Sequence, residues 1–421
     1  MPQPGRLVVC AGGYDPGWHQ LPPSVPNHER PFISGGERSL YELAVGAAVL
    51  GMDVELRGGI NEPILHELGT AAGALPRTGL APRRPGLGDI VVLSEGADPE
   101  WIAPVALSGA KPVFYLLAPP GLFGWSFLAG WPGSQDPTAV PLDSVGKPET
   151  FQAIDALGFA MWTNAHGIAE AGHRAGVPVT WLGTGTPVPF PDPPAKEYDL
   201  ALVEYNRWHP AAQAIADRIE GASVLRVGPV PWSYSLSASL ASARLLVWPS
   251  RLEGMSRIAR EARAVGTVPV FLDHNPFVTR EDYGAGVVLC GSDTAMRASI
   301  EQLLDDSAAL EKLADEGMAG AREQAAWRPF LERLEHAVLT LPDDPAAQAR
   351  EHLGELVRRH DEEVRGGAGA QLARFGAPVE AHRRRFTART VDRLVSSSTW
   401  SALVRRGASW RDRRSETSTS S

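Results

Sequence analysis

Cysteine and lysine are both scarce in this chain of 421 residues. The only two cysteines, Cys10 and Cys290, lie far apart in the sequence. This spacing excludes a small secreted scaffold held by disulfides and a zinc site built from cysteines, and it is typical of a reducing compartment. Four lysines stand among 40 basic residues, and together with abundant alanine, glycine and proline this bias indicates a bacterial, GC-rich genome. The net charge of -9 argues against a chain that binds nucleic acid as a whole.

The sequence also lacks a segment suited to cross a membrane. The longest apolar stretch without charge is 112–131, which contains Pro119, Pro120 and several glycines and is therefore a poor membrane span. The N-terminus has no apolar run of the kind that a secretion signal needs. We therefore expect a cytoplasmic protein.

Several common site motifs are missing as well. The chain has no Gly-x4-Gly-Lys-Ser/Thr phosphate loop, no His-Glu-x2-His zinc motif and no Gly-x-Ser-x-Gly nucleophile elbow. The glycines Gly183 and Gly185 lack the third glycine of a dinucleotide fingerprint and precede prolines rather than a helix. His166 and His173 are seven residues apart, but with no third ligand a surface or core position is favoured over a metal site.

Short apolar runs alternate with helical patterns along most of the chain. Strands are predicted at 7–10, 54–56, 90–93, 113–117, 160–163 and 179–182, and then at 200–203, 224–227, 245–248, 268–272 and 287–289. Helices in the second series are predicted at 210–219, 234–242, 256–265, 293–304 and 308–324. Strands that alternate with helices indicate mainly parallel, doubly wound sheets.

A proline-rich segment divides the two series. Residues 186–194 contain five prolines in nine positions, which favours an extended, semi-rigid linker. We predict a Rossmann-like α/β domain over 1–186, a linker over 187–199 and a second Rossmann-like domain over 200–345. A helical, basic and partly disordered extension is predicted over 346–421. Two such domains leave a cleft between them, and ligands bind beyond the carboxyl ends of the strands in sheets of this kind.

Two glutamates flank a predicted helix start in the second domain. A turn with Glu253 and Gly254 follows a strand, and the helix begins near Ser256. Such a helix start attracts phosphate because its N–H groups are free and its dipole is positive there. Glu261 lies about five residues into the helix, roughly 7.5 Å along its axis, where a carboxylate could accept bonds from ribose hydroxyls. Glu253 could reach sugar hydroxyls, although two glutamates in isolation are more often solvated surface residues.

The surrounding pattern resembles the donor-site signature of retaining GT-B glycosyltransferases of the large family 4 type. Pro249-Ser250 precedes the Glu-x7-Glu pair, and Ala262-x3-Gly266-Thr-x-Pro-Val follows it. Other segments are similar in the expected order. They are 34–44 with 51–54 for the glycine loop and first helix, 162–165 with 182–186 for the last strands before the linker, and 293–324 for the closing helices. The resemblance covers about residues 7–335.

The resemblance implies the GT-B fold and a nucleotide-diphosphate sugar, bound mainly by the second domain as a co-substrate and not as a resident cofactor. It implies transfer of a hexose with retention of configuration and without a metal. Glu253 and Arg207 are the implied catalytic residues, with Arg207 neutralising the departing diphosphate. The implied donor-binding residues are Gly35, Gly36, Gly254, Met255, Ser256 and Glu261.

The sequence departs from this family at two positions. No lysine follows Arg207, where the family has one a few residues later. His209 could substitute as a weaker, pH-dependent cation, and a surface histidine at a helix start is an equally good interpretation. The histidine that related proteins often carry after the strand at 113–117 is also absent. Acceptor binding therefore differs from that of the family, or the role of this histidine is missing.

Three further residues have a functional and an ordinary interpretation. Trp232 follows a donor-domain strand and could stack on the nucleotide base, or it could lie in a core or interface. Ser94 and Glu95 follow a strand of the first domain and could contact the acceptor or the sugar, or they could be ordinary polar loop residues.

We predict a retaining glycosyltransferase that moves a sugar to an unidentified acceptor in polysaccharide or natural-product glycosylation. The alternative is a catalytically impaired nucleotide-sugar-binding or regulatory protein on the same scaffold, which the missing lysine and histidine favour. A nucleotide-sugar epimerase or a phosphorylase of the same architecture is a third hypothesis. Nucleic acid is not an expected partner. Residues 369–421 carry 11 arginines against four acidic residues, which is compatible with contact to an anionic membrane at its inner face or to an acidic polymer.

Overall fold

The first of two parallel sheets has eight strands. The computed structural model describes residues 6–11, 24–26, 35–79, 85–86, 88–94, 105, 109–120, 145–156, 158–204, 208–228 and 236–342. The strands are β1 (Leu7–Ala11), β2 (Ser24–Pro26), β3 (Val54–Ile60), β4 (Arg77–Thr78), β5 (Ile90–Ser94), β6 (Lys111–Leu116), β7 (Ala160–Thr163) and β8 (Val179–Trp181). Their order is β2-β3-β1-β5-β6-β7-β8, and β4 also pairs with β3. All five residues of β1 are buried, as expected for a parallel strand covered on both faces.

The second sheet follows the proline-rich segment and has five strands. These are β9 (Tyr198–Val203), β10 (Val224–Val227), β11 (Ala243–Trp248), β12 (Val268–Leu272) and β13 (Val288–Cys290). Their order is β10-β9-β11-β12-β13, and every pair is parallel. All five residues of β12 are buried, which explains why this strand consists almost entirely of apolar residues.

Helices cover both faces of each sheet. They are α1 (Gly35–Val49), α2 (Glu62–Ala72), α3 (Pro148–Ala156) and α4 (His166–Arg174), then α5 (His209–Ala216), α6 (Leu236–Leu240), α7 (Arg257–Ala264), α8 (Arg280–Tyr283), α9 (Asp293–Asp305), α10 (Ser307–Gln324) and α11 (Trp327–Leu339). The first sheet packs against α1 and α2 on one face and against α3 and α4 on the other. The second packs against α5, α9 and α10 on one face and against α6 and α7 on the other. The predicted fold class of two doubly wound α/β domains is confirmed, and we call them the first and second lobe.

The chain returns to the first lobe through α11. Phe330 and Leu334 of this helix are buried in the same core as α1, and both lie 3.2 Å from the position that a Cβ on Gly46 would take. Arg333 donates from Nε to the carbonyl oxygen of Leu182 at 2.6 Å. The domain boundary predicted at 345 grouped this helix with the second domain, but its apolar face lies against the first.

Some predicted features lie outside the residues that the structure describes. The basic extension over 346–421 is one of them, and the site candidates Glu95, Arg207 and Trp232 are others. Of the helices in the described ranges, none is both long enough and apolar enough to span a membrane.

Candidate functional site

The carboxyl edges of the two sheets meet at the turn that follows β11. Gly254 in this turn lies directly against the carbonyl oxygen of Leu117, the residue after β6, and a Cβ at this position would overlap that oxygen. A Cβ on Gly35, at the start of α1, would lie 3.3 Å from the Cβ of Arg257, at the start of α7. The first turns of α1 and α7 are therefore neighbours across the two lobes.

Helix α7 begins at this junction, and the side chain of its N-cap residue does not cap it. Ser256 has the extended backbone of an N-cap residue, with φ -70° and ψ 105°, but its hydroxyl makes no capping hydrogen bond. The buried alanines Ala259 and Ala262 pack against the second sheet and hold the helix in place. The first turn of α7 therefore presents backbone N–H groups and a positive dipole end to the seam between the lobes.

Glu253 is held by two indole rings. Trp208 donates from Nε1 to one carboxylate oxygen at 3.0 Å, and Trp248 donates from Nε1 to the other at 3.4 Å. The side-chain amide of Asn275 donates to the backbone carbonyl of Glu253 at 2.8 Å and fixes the turn. Because Glu253 is half-buried at the carboxyl edge of the sheet, its carboxylate has a defined orientation beside the start of α7.

Glu261 is buried, with 4% of its surface exposed, on the side of α7 that faces α6. Its Oε1 accepts from Nε of Arg257 at 2.8 Å, and its Oε2 accepts from the backbone N–H of Ser237 at 3.2 Å. Both carboxylate oxygens therefore have donors within the protein. The predicted contact between Glu261 and ribose stays a prediction.

Arg257 also reaches across the seam to α1. Its Nη1 donates to Oε2 of Glu42 at 2.8 Å and its Nη2 to Oε1 at 2.7 Å, which is the two-pronged geometry of a strong ion pair. Burial would raise the pKa of Glu42, but the Arg257 guanidinium outweighs it and holds that pKa below its ordinary value of 4.5. The guanidinium of Arg257 thus links Glu42 of the first lobe to Glu261 of the second.

A second arginine of α7 is buried in the same region without a hydrogen-bond partner. Arg260 is 1% exposed, and none of its three guanidinium nitrogens has an acceptor within the described part of the chain. Burial lowers the pKa of Arg260 to about 10, and the charge of Arg257 adds to this effect. Glu42, Glu261 and Arg38 are the other charged groups that act on Arg260.

A second interlobe contact lies at the start of α4. The carboxylate of Asp282, from α8, accepts from the backbone N–H of His166 at 2.6 Å and from that of Gly167 at 3.0 Å. Gly167 is tightly packed, because an added Cβ would lie 2.5 Å from the backbone of Phe277. Asp282 therefore occupies the N-terminus of α4 and fixes the lobes on the side away from α1.

The remaining predicted residues within the described ranges lie at helix starts, against a core or at the end of a strand. Gly36 lies in the first turn of α1, and Met255 packs against the core of the first lobe. His209 begins α5, and its buried Nε2 has no hydrogen-bond partner among the residues that the structure describes. Ser94 is buried at the carboxyl end of β5.

Sequence reasoning did not give a role to Trp208, Arg257, Arg260 or Glu42. The two tryptophans of the Glu253 contact offered a signal, since Trp248 ends one strand and Trp208 closely follows the neighbouring strand. The ion pair offered none, because Glu42 and Arg257 are 215 residues apart in the chain. In the part of the chain that the structure describes, no group of three or more histidine, cysteine, aspartate or glutamate residues is arranged to hold a metal.

Comparison with solved structures supports the fold. No protein-family model and no curated protein matches the chain. Alr3699/HepE of Anabaena, solved in complex with UDP and glucose, superposes with a TM-score of 0.53 at 12% identity over 80% of this chain and 100% of that one. A glycosyltransferase from Rickettsia africae superposes with a TM-score of 0.51 at 10% identity over 81% of this chain and 100% of that one. At this identity the similarity establishes the architecture, which is the GT-B arrangement of two facing lobes.

Proposed function

We propose that this protein is a glycosyltransferase that binds a nucleotide-diphosphate sugar between its lobes and transfers the sugar to an acceptor. The observation that carries the proposal is the position of the Glu-x7-Glu pair. Glu253 and Glu261 lie on either side of the uncapped start of α7, where the carboxyl edges of both sheets meet. The complex of Alr3699/HepE with UDP and glucose, on the same architecture, supports a nucleotide sugar as the ligand.

The proposed reaction breaks the bond between the anomeric carbon and the diphosphate and forms a bond from that carbon to the oxygen of an acceptor hydroxyl, whose proton passes to the departing diphosphate. Negative charge builds on the departing diphosphate, so the site must stabilise it. We assign this task to the N–H groups of α7 around Ser256, to Gly35 and Gly36 from the first lobe, and to Arg207. A cationic protein environment takes the place of a metal in this proposal, and retention of configuration follows the family that the sequence resembles.

Glu253 is the proposed sugar ligand. A carboxylate binds sugar hydroxyls well when its orientation is fixed, because less rotational freedom is lost on binding. The indole N–H groups of Trp208 and Trp248 fix Glu253 in this way. Glu261 is the proposed ribose ligand. For a ribose hydroxyl to bind, the donors from Arg257 and Ser237 must move away from its carboxylate.

The proposal is tested by a donor screen followed by one substitution. Purified protein is incubated with UDP-, GDP- and TDP-sugars, and binding is measured by calorimetry and donor hydrolysis or transfer by mass spectrometry. Glu253→Gln removes the charge and sets an amide N–H against one of the two indole N–H donors, so we expect at least a 100-fold loss of turnover and a modestly lower melting temperature in a protein that still folds. Glu311→Gln, at an exposed position of α10, is the matched control and should keep full activity.

The outcomes separate the proposal from its rival. Binding of a nucleotide sugar without turnover would favour a nucleotide-sugar-binding or regulatory protein, which the absent lysine after Arg207 already motivates. Full activity in Glu253→Gln would reject the assigned site, and the absence of any binding would reject the function.

A further inference from the structure

The guanidinium of Arg257 forms an ion pair at the place where an anionic ligand is expected. Arg257 is the first residue of α7, and its aliphatic stem passes Gly35 before its guanidinium reaches Glu42. The pair is well shielded, since 12% of the Arg257 side chain and 3% of the Glu42 side chain are exposed. A carboxylate on α1 therefore holds the cation nearest to the start of α7.

Among the residues that the structure describes, arginines outnumber carboxylates in this seam. Three guanidinium groups, of Arg38, Arg257 and Arg260, lie close to two carboxylates, of Glu42 and Glu261. Arg260 is buried, and its three guanidinium nitrogens have no hydrogen-bond partner among the described residues, although a buried charge is normally paired. A buried and unpaired guanidinium beside the start of α7 would be stabilised by an anion that enters the seam from outside the chain.

We propose that Glu42 is an internal stand-in for the phosphate groups of the donor. Its carboxylate occupies the guanidinium fork of Arg257, and the nucleotide diphosphate takes its place when the two lobes separate at the seam. A carboxylate and a phosphate present the same pair of acceptor oxygens to an arginine, so a phosphate can take the place of Glu42 at Nη1 and Nη2 of Arg257. This proposal rests on the proposed function, and it makes Arg257 a donor-binding residue.

The exchange accounts for two features of the site. It supplies a cation at the diphosphate although the lysine that the family carries after Arg207 is missing. It also withdraws Nε of Arg257 from Glu261, and this carboxylate oxygen then becomes available to a ribose hydroxyl. Glu42 and Glu261 are thus both held by the same arginine until the ligand arrives.

A stand-in competes with the ligand for Arg257. The proposal therefore predicts a direction of change in ligand affinity that a purely structural ion pair would not produce. If only a fraction of the molecules has Arg257 free, the apparent affinity for the ligand is reduced by that fraction. Removing the charge of Glu42 should therefore tighten binding. If the pair only held the lobes together, the same change would weaken binding or leave it unchanged.

The experiment is calorimetry of UDP, GDP, TDP and inorganic pyrophosphate on the full chain. We expect Glu42→Gln to lower the Kd by about 5- to 20-fold, and Arg257→Gln to raise it by about 10- to 100-fold. Arg257→Lys, which keeps the charge but loses the fork, should lie between wild type and Arg257→Gln. Glu62→Gln, at an exposed position in the first turn of α2, is the matched control and should bind as wild type does.

A second variant keeps the test decisive if Glu42→Gln does not fold. Glu42→Asp retains the charge but shortens its reach, so it should fold and give a smaller gain of about 2- to 5-fold. Unchanged or weaker binding in both variants would overturn the proposal while leaving the proposed function intact. If neither variant folds, the ion pair between Glu42 and Arg257 is needed for the fold, and this result would overturn the proposal as well. A wild-type chain that binds none of the four probes would overturn the proposed function and the stand-in together.

Discussion

Glu253 and Glu261 are held by chemically different donors. Two neutral indole N–H groups orient Glu253, whereas a guanidinium and a backbone N–H engage Glu261. The guanidinium adds the attraction of an opposite charge to one hydrogen bond of Glu261, whereas both donors to Glu253 are neutral. The turn between them contains Gly254, where the absence of a side chain lets β6 and the second lobe touch.

A methyl group at Gly254 should separate the lobes. We expect Gly254→Ala to cost about 1–3 kcal/mol of unfolding free energy, because its Cβ would overlap the carbonyl oxygen of Leu117. Gly291→Ala is the matched control, since an added Cβ there meets nothing within 4 Å, and its effect should stay within about 0.5 kcal/mol. Denaturant unfolding measures both. Equal stability of the two variants would contradict the tight contact at Gly254.

At the scale of elements, α1 and α7 join the lobes through one shielded ion pair. The pKa of Glu42 is lower in the folded protein than its ordinary value of 4.5, because the attraction of Arg257 outweighs the cost of burial. A carboxylate with a depressed pKa contributes stability that is fully present above its unfolded pKa and is lost as the pH falls through the folded value. The contact between α1 and α7 should therefore weaken in acid.

The contribution of the Glu42 charge to acid sensitivity is obtained by comparing wild type with Glu42→Gln. We expect wild type to melt at a higher temperature than Glu42→Gln at pH 7, and this gap to shrink progressively below about pH 4.5. Melting curves of both proteins between pH 7 and pH 3 give the measurement. A gap that is constant with pH would show that the charge of Glu42 does not stabilise the contact.

The elements of α7 and β12 show what the sequence predicts and what it does not. The run Val268–Leu272 is apolar because the strand is buried on both faces, and that local rule identified it. The start of α7 near Ser256 followed from its position after a strand and a glycine turn. Glu42 and Arg257 meet only because the two lobes approach each other, and no local rule connects residues 215 positions apart. The packing of α11 on the first lobe was not predicted for the same reason.

At the scale of the molecule, the two lobes touch along the starts of α1 and α7, and this arrangement can be tested directly. A Cβ on Gly35 would lie 3.3 Å from that of Arg257, close to the roughly 3.5–4.5 Å between the Cβ atoms of a disulfide. We expect the double variant Gly35→Cys and Arg257→Cys to form a cross-link under oxidising conditions, detected by peptide mass spectrometry and reversed by dithiothreitol. Gly291→Cys with Arg257→Cys is the control, because an added Cβ at Gly291 meets no atom within 4 Å. Equal cross-linking in both pairs would contradict the arrangement.

The return of α11 to the first lobe has a consequence for anyone who wishes to exchange parts between proteins of this architecture. Phe330 and Leu334 belong to the core around α1, although they follow the whole second lobe in the chain. A chimera spliced only at the prolines would place a foreign helix on this core. A graft that respects the packing needs two crossover points, with residues 327–342 inherited from the same parent as the first lobe.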